Sequence, residues 1–115
     1  MPIEHLSCSV TLYVPQNMRI GYAFYKEVAR DFAALAGGAT VIRGEGWWLK
    51  DDGGPEAELV TMVKSFVELD KFYPLERLAR KWADKLFDLG EWAVAIETEY
   101  RSRSDMQIIT RDTGD

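Results

Sequence analysis

The chain has 115 residues, 47% of them hydrophobic, with a net charge of −5 and a pI of about 4.9. That length suits one ordinary domain with its own core and excludes a disordered chain of low hydrophobicity. The acidity argues against non-specific binding to nucleic acid or an anionic membrane, and a lone cysteine, Cys8, excludes an intramolecular disulfide and a Cys-based zinc site.

Residues 1–115 are therefore expected to form a single α+β domain with its core over about 6–110 and a frayed tail over 111–115. The opening MPIEHLSCSV has neither the basic segment nor the long apolar segment of a secretory signal. No apolar run approaches the roughly 20 residues of a membrane span. A reducing, cytoplasmic location without a membrane partner is expected.

In chain order, Leu6 to Val14 alternates strictly. Leu6, Cys8, Val10, Leu12 and Val14 point one way, and Ser7, Ser9, Thr11 and Tyr13 the other, which predicts a half-buried strand. Tyr22 to Ala36 carries Phe24, Val28, Phe32 and Leu35 at helical spacing, and Gly37-Gly38 follows where a left-handed cap is wanted. Thr40 to Leu49 reads as a second strand, with Gly44 and Gly46 marking a bulge or the close approach of another group. Asp51 to Pro55 is a turn signal, and Leu59 to Val67 completes a hairpin. From about Pro74 to Leu89, the residues Leu75, Leu78, Trp82, Leu86 and Leu89 form a helical stripe; Pro74 suits a first turn and Gly90 a cap. Trp92 to Tyr100 alternates again, Arg101 to Asp105 is a polar turn, and Met106 to Thr110 is a short last strand.

The order β-α-β-β-α-β with a terminal hairpin strand, obeying right-handed crossovers, predicts a ferredoxin-like sandwich: an antiparallel sheet with both helices on one face. The open face then becomes the informative surface. It is expected to carry Ser7, Ser9, Thr11 and Tyr13, then Ala93, Ala95, Glu97 and Glu99. From the hairpin it is expected to carry Arg43, Glu45 and Trp47, with Leu59, Thr61, Val63 and Ser65. Such a mixed face commonly pairs as a dimer or binds something, so a homodimer is expected.

The candidate ligand- or partner-binding residues are Tyr13, Arg43, Glu45, Trp47, Glu97 and Glu99. In Arg43-Gly44-Glu45-Gly46-Trp47-Trp48 the glycines would let a ligand approach a polar strand face; the blander alternative is a bulged strand with an Arg–Glu pair at its edge. Glu97 and Glu99 share a strand face and, with Glu45, could cluster for a hard cation or acid–base work, although alternating Glu on a solvated strand is commoner. His5 is the only histidine and reads as a surface residue, and Cys8 reads as inert packing. Arg77, Arg80, Lys81 and Lys85 are interleaved with Glu76, Asp84 and Asp88 and read as a solvated helix face with Glu76–Arg80 and Arg80–Asp84 pairs. No phosphate loop, nucleophile elbow or metal spacing is present. No catalytic residue, metal or cofactor is expected.

Leu12-Tyr13-Val14-Pro15, Gly37-Gly38-Ala39-Thr40, Gly46-Trp47-Trp48, the Asp51 to Gly54 turn and Ala93-Val94-Ala95-Ile96-Glu97 together resemble a broad family of small α+β proteins of bacteria and their phages. The resemblance spans about residues 6–110 and implies the fold and the compartment, not an activity. The Asp70-Lys71-Phe72-Tyr73-Pro74 entry to the second helix and the double Trp depart from that pattern.

Three functions compete. The first is a non-enzymatic interaction module of phage or mobile-element origin that blocks a host protein through the open face. The second is a small cofactor-independent enzyme resembling the dimeric α+β-barrel group, with Arg43, Glu45, Trp47 and His5 as the polar groups of an apolar pocket. The third is an anionic-nucleotide binder using Arg43, Arg101 and Arg103. The first is the leading expectation. An RNA-binding role is rejected because the basic, Gly-flanked aromatic motif is absent and the charge is acidic.

Overall fold

The computed structural model describes residues 5–50 and 52–111. Asp51 of the turn signal, the opening four residues and the tail beyond Arg111 lie outside the described residues. The elements are β1 (Cys8–Pro15), α1 (Tyr22–Ala36), β2 (Thr40–Leu49), β3 (Pro55–Val67), α2 (Leu69–Asp88), β4 (Ala93–Tyr100) and β5 (Arg103–Thr110). The strands form one sheet in the order β2-β3-β1-β4-β5, every neighbouring pair antiparallel. This is the ferredoxin-like arrangement expected from the element order, with β5 added outside β4.

Helix α1 stops because Gly37 turns left-handed (φ 93) and its N–H donates to the Ala33 carbonyl, a conformation that costs a side-chain-bearing residue about 1–2 kcal/mol. Helix α2 begins at Leu69, five residues before the start the sequence suggests, so that Pro74 lies inside it. The expected entry segment is helical because Phe72 is buried and packs edge-on against Tyr100, ring centroids 5.0 Å apart. Asp70 in the first turn also suits the positive end of the helix dipole. That packing outweighs the backbone hydrogen bond Pro74 cannot donate. The β4–β5 connection is tighter than the polar turn expected from Arg101 to Asp105: only Arg101 and Ser102 separate the strands, with Arg101 at φ 59.

Both helices cover the face bearing Cys8, Val10, Leu12 and Val14, all buried with Phe32, Val28, Leu75 and Leu86. Trp82 joins the helices, packing edge-on against Phe24 and donating from Nε1 to Asp31 at 3.0 Å. Cys8 is buried in this core and His5 is exposed, as expected. Arg80 donates to Gln107 on β5.

The pairing register decides what each face carries, and it corrects the assignment made for the hairpin. Leu12 lies opposite Val63 and Val14 opposite Thr61, so Leu59, Thr61, Val63 and Ser65 share the helix side with the core residues of β1. Arg43 lies opposite Thr61, Glu45 opposite Leu59 and Trp47 opposite Ala57, so these three also point to the helix side. The cause is the identity of the buried row: Val63, fully buried under the helices, fixes the phase of β3, and β2 follows it. The open face instead carries Ile42, Gly44, Gly46 and Trp48 of β2, then Glu58, Val60, Met62, Lys64 and Phe66 of β3. Ser9, Thr11 and Tyr13 of β1 and Ala93, Ala95, Glu97 and Glu99 of β4 fall there as expected. Met106 and Ile108 of β5 complete it.

Candidate functional site

Four small residues shape the open face. Gly44 and Gly46 on β2, with Ala93 and Ala95 on β4, leave a trough of about 280 Å³ running across the strands between them. Its floor is Val60 and Met62, and Trp48 and Tyr13 stand along it. A side chain at Gly44 would meet only Met62 Cε, at 3.8 Å, so the glycine serves the open space and not a backbone constraint. Trp48 is 42% exposed and offers its ring as a stacking surface along the trough.

Two carboxylates, Glu45 and Glu58, line this trough, and a third, Glu97, is tied to it through Tyr13. The Tyr13 hydroxyl donates to Glu97 Oε1 at 2.8 Å, bridging β1 and β4. Burial, and then the hydrogen bond and negative charge of Glu97, push the Tyr13 phenol up to about 12. It therefore stays protonated and holds the Glu97 carboxylate in one orientation. Glu58 lines the same trough. Burial, and next the nearby Glu91 carboxylate, raise its pKa above the ordinary value, with Asn17 and Arg19 acting the other way. Glu91 itself is only 8% exposed and is satisfied by Asn17 Nδ2 at 3.2 Å and Arg19 Nη2 at 3.3 Å. This knot ties the β1–α1 loop to the α2–β4 loop at one end of the trough. Chemically, the trough offers an aromatic and apolar bed with negative potential beside it, which suits an organic cation carrying a flat ring system.

On the helix side of β2 lies a second cavity, of about 470 Å³, lined by Gln16, Tyr22, Arg43, Glu45, Leu59 and Thr61. Arg43 donates to the Tyr25 hydroxyl at 2.6 Å, and its guanidinium carbon sits 5.4 Å from the ring centroids of both Tyr22 and Tyr25.

The expected site residues thus divide between two faces. Tyr13 and Glu97 come together on the open face, with Glu99 two residues further along the same strand. By register Arg43, Glu45 and Trp47 point to the helix side, with Glu45 and Trp47 also bordering the trough at the β2 edge, and the expected Glu45–Glu97–Glu99 cluster does not form because β3 and β1 separate β2 from β4. Among the described residues, no group of three acidic, His or Cys side chains could hold a metal ion. Arg43 also cannot join Arg101 and Arg103 around a nucleotide: β2 is one edge of the sheet, and those two arginines belong to the β4–β5 hairpin at the other. Several strand spacings of about 4.8 Å lie between them. Sequence reasoning missed Trp48, Glu58, Val60 and Met62. The signal that finds Trp48 is its even spacing from Gly44 and Gly46, which places all three on one strand face.

No protein-family model matches the chain, and no curated protein matches it. Among solved structures, the chain is similar to a phage SAM lyase in complex with S-methyl-5′-thioadenosine, with 15% identity and a TM-score of 0.67 over 100% of this chain and 98% of that one. It is also similar to a phage SAM lyase in the apo state, with 16% identity and a TM-score of 0.63 over 100% of both chains. CutA from Synechococcus elongatus matches at 11% identity and a TM-score of 0.48, over 95% of this chain and 80% of that one. At these identities the likeness shows the fold. That an enzyme shares it from end to end overturns the leading expectation of a non-enzymatic interaction module blocking a host protein.

Proposed function

We propose that this protein is a small enzyme that cleaves a carbon–sulfur bond of S-adenosylmethionine, or a close sulfonium relative, and releases S-methyl-5′-thioadenosine. The observation that carries the reading is the end-to-end likeness to the phage SAM lyase. The trough supports it, because its aromatic bed and two carboxylates suit a cationic nucleoside. A phage or mobile-element origin fits the same likeness.

The chemistry asks little of the protein. The bond between the sulfonium sulfur and the γ carbon of the aminobutyrate chain breaks, and its electron pair leaves with sulfur as a neutral thioether. The substrate's own carboxylate bonds to the γ carbon and closes a lactone. No water, proton or redox partner is consumed, so the reaction runs without a cofactor. A positive and a negative charge annihilate in this step, and transfer from water to an apolar site favours such a step. The Val60, Met62, Ala93 and Ala95 surface supplies the apolar surroundings. Trp48 stacks the purine. Glu58 captures the cationic substrate, and Glu97, held by the Tyr13 hydroxyl, adds negative charge beside it. Carboxylates close to sulfur would also steady the ground state, so their contribution falls mainly on substrate capture.

The homodimer expectation stays within this reading. Ile42, Phe66, Met106 and Ile108 are exposed on the same face, and a second copy laid over them would close the trough against water. Native mass spectrometry reads that assembly directly.

The testing experiment is incubation of the full chain with S-adenosylmethionine and identification of the products by mass spectrometry. One S-methyl-5′-thioadenosine per substrate lost, with homoserine lactone or its hydrolysis product, supports the reading. Substrate surviving at the buffer-blank rate beside folded protein would refute it.

A further inference from the structure

The cavity on the helix side of β2 has no part in this reaction, yet its groups are positioned. Arg43 is held by a neutral phenol and two aromatic rings and not by an acid: one N–H goes to Tyr25 at 2.6 Å, and both rings lie 5.4 Å from its guanidinium carbon. A guanidinium has five N–H donors in a fixed fork. Its charge is unspent too, because the ion pairs among the described residues are Arg19–Glu91 and Lys50–Asp52. Glu45 stands two residues along on the same face of β2, roughly 7 Å away along the strand. The cavity therefore presents one positioned cation and one anion at a short, fixed spacing. Beside them, Tyr22 and Leu59 offer apolar surface and Gln16 an amide.

We infer that this cavity is a second ligand site, for a free α-amino acid. The Arg43 fork takes the α-carboxylate, Glu45 takes the α-ammonium, and an apolar side chain lies against Tyr22 and Leu59. A simple anion fits less well because Glu45 opposes it; a simple cation is opposed by Arg43. The zwitterion satisfies both. The amino-acid head of the sulfonium substrate is a poor occupant, since a carboxylate clamped by a guanidinium loses the nucleophilicity the cleavage step needs. Gly44, Glu45 and Val60 line both this cavity and the trough, so the two sites abut across one edge strand. The inference stands apart from the lyase reading and does not require it.

The probe is L-methionine, titrated into the full chain by calorimetry or NMR. Binding on the order of 1 mM is expected. It should weaken at least tenfold when the probe lacks its carboxylate (methioninol) or its free amine (N-acetylmethionine), and equally in R43Q. Y25F, which releases Arg43 while keeping its charge, should weaken binding about threefold; the thermal melt of each variant checks its fold. R43Q should leave S-methyl-5′-thioadenosine release unchanged. Equal binding of all three probes, or unchanged binding by folded R43Q, would overturn the site. Competitive inhibition of cleavage by methionine, lost in R43Q, would place the substrate's own head on Arg43 and overturn a separate site. Absence of any cleavage with Arg43-dependent methionine binding intact would sink the lyase reading alone.

Discussion

Tyr13 and Glu97 are joined by one hydrogen bond across the neighbouring strands β1 and β4, and that bond gives the phenol a measurable property. The native state holds the Tyr13 proton up to about pH 12, against 10.0 for an unperturbed phenol. The stability this adds is complete below pH 10 and is lost as pH rises from 10 toward 12. Absorbance titration at alkaline pH should show a late-ionising phenol, and Tyr13→Phe should remove that late step. A full complement of tyrosines titrating together near 10 would contradict the contact. Glu58 works in the opposite sense from most carboxylates. Its pKa is raised in the fold, so the unfolded chain gives up this proton first as pH rises. Ionised Glu58 therefore destabilises the fold above that window, while below pH 4.5 it costs nothing. Glu58→Gln should raise the melting temperature at pH 7, the gain disappearing below pH 4.5, and should weaken capture of a sulfonium at pH 7. A variant less stable than the parent at pH 7 would contradict this.

At the scale of elements, edge strand β2 separates two jobs by its alternation. Its even-numbered positions, Gly44, Gly46 and Trp48, open the trough; its odd ones Arg43 and Glu45 line the other cavity, Glu45 reaching the trough's edge as well. Gly44→Val places a β-branched residue where strands favour one and where only Met62 Cε is near. The melting temperature should stay within a few degrees, while S-methyl-5′-thioadenosine binding falls at least tenfold, because the valine occupies the trough. Unimpaired binding would move the site elsewhere. Most of this framework was legible in sequence: the alternation of Cys8 to Val14 and of Val94 to Thr98, the stripe Leu75-Trp82-Leu86, and the Gly37 cap all reported local physics. The phase of the hairpin was not, because Leu59, Thr61, Val63 and Ser65 alternate with Val60, Met62, Lys64 and Phe66, and both rows mix apolar with polar residues. Only pairing to β1, a contact distant in sequence, decides which row lies under the helices. The start of α2 was hidden for a related reason: Pro74 reads locally as a first turn, and the Phe72–Tyr100 contact that overrides it is tertiary.

On the scale of the whole molecule, an acidic chain of net charge −5 attracts cationic small molecules and repels polyanions. The sheet gives it one face buried under the helices and one left open, and no helix among the described residues is long and apolar enough to cross a membrane. Of the site residues expected from sequence, Tyr13 and Glu97 sit on strands whose phase the β1 pattern fixes, whereas the placement of Arg43, Glu45 and Trp47 depended on the undetermined hairpin. Cleavage of a sulfonium nucleoside in the trough is the proposal on which the other readings of this face depend. It is tested most directly by a single-turnover time course, with the full chain in excess over S-adenosylmethionine but too dilute to saturate it, so that capture is read together with chemistry, run beside Glu97→Gln and Gly44→Val. Release of S-methyl-5′-thioadenosine well above the buffer blank, slowed at least tenfold in both folded variants, is the result predicted. Release no faster than the blank, or equal release by the parent and both variants, would contradict it.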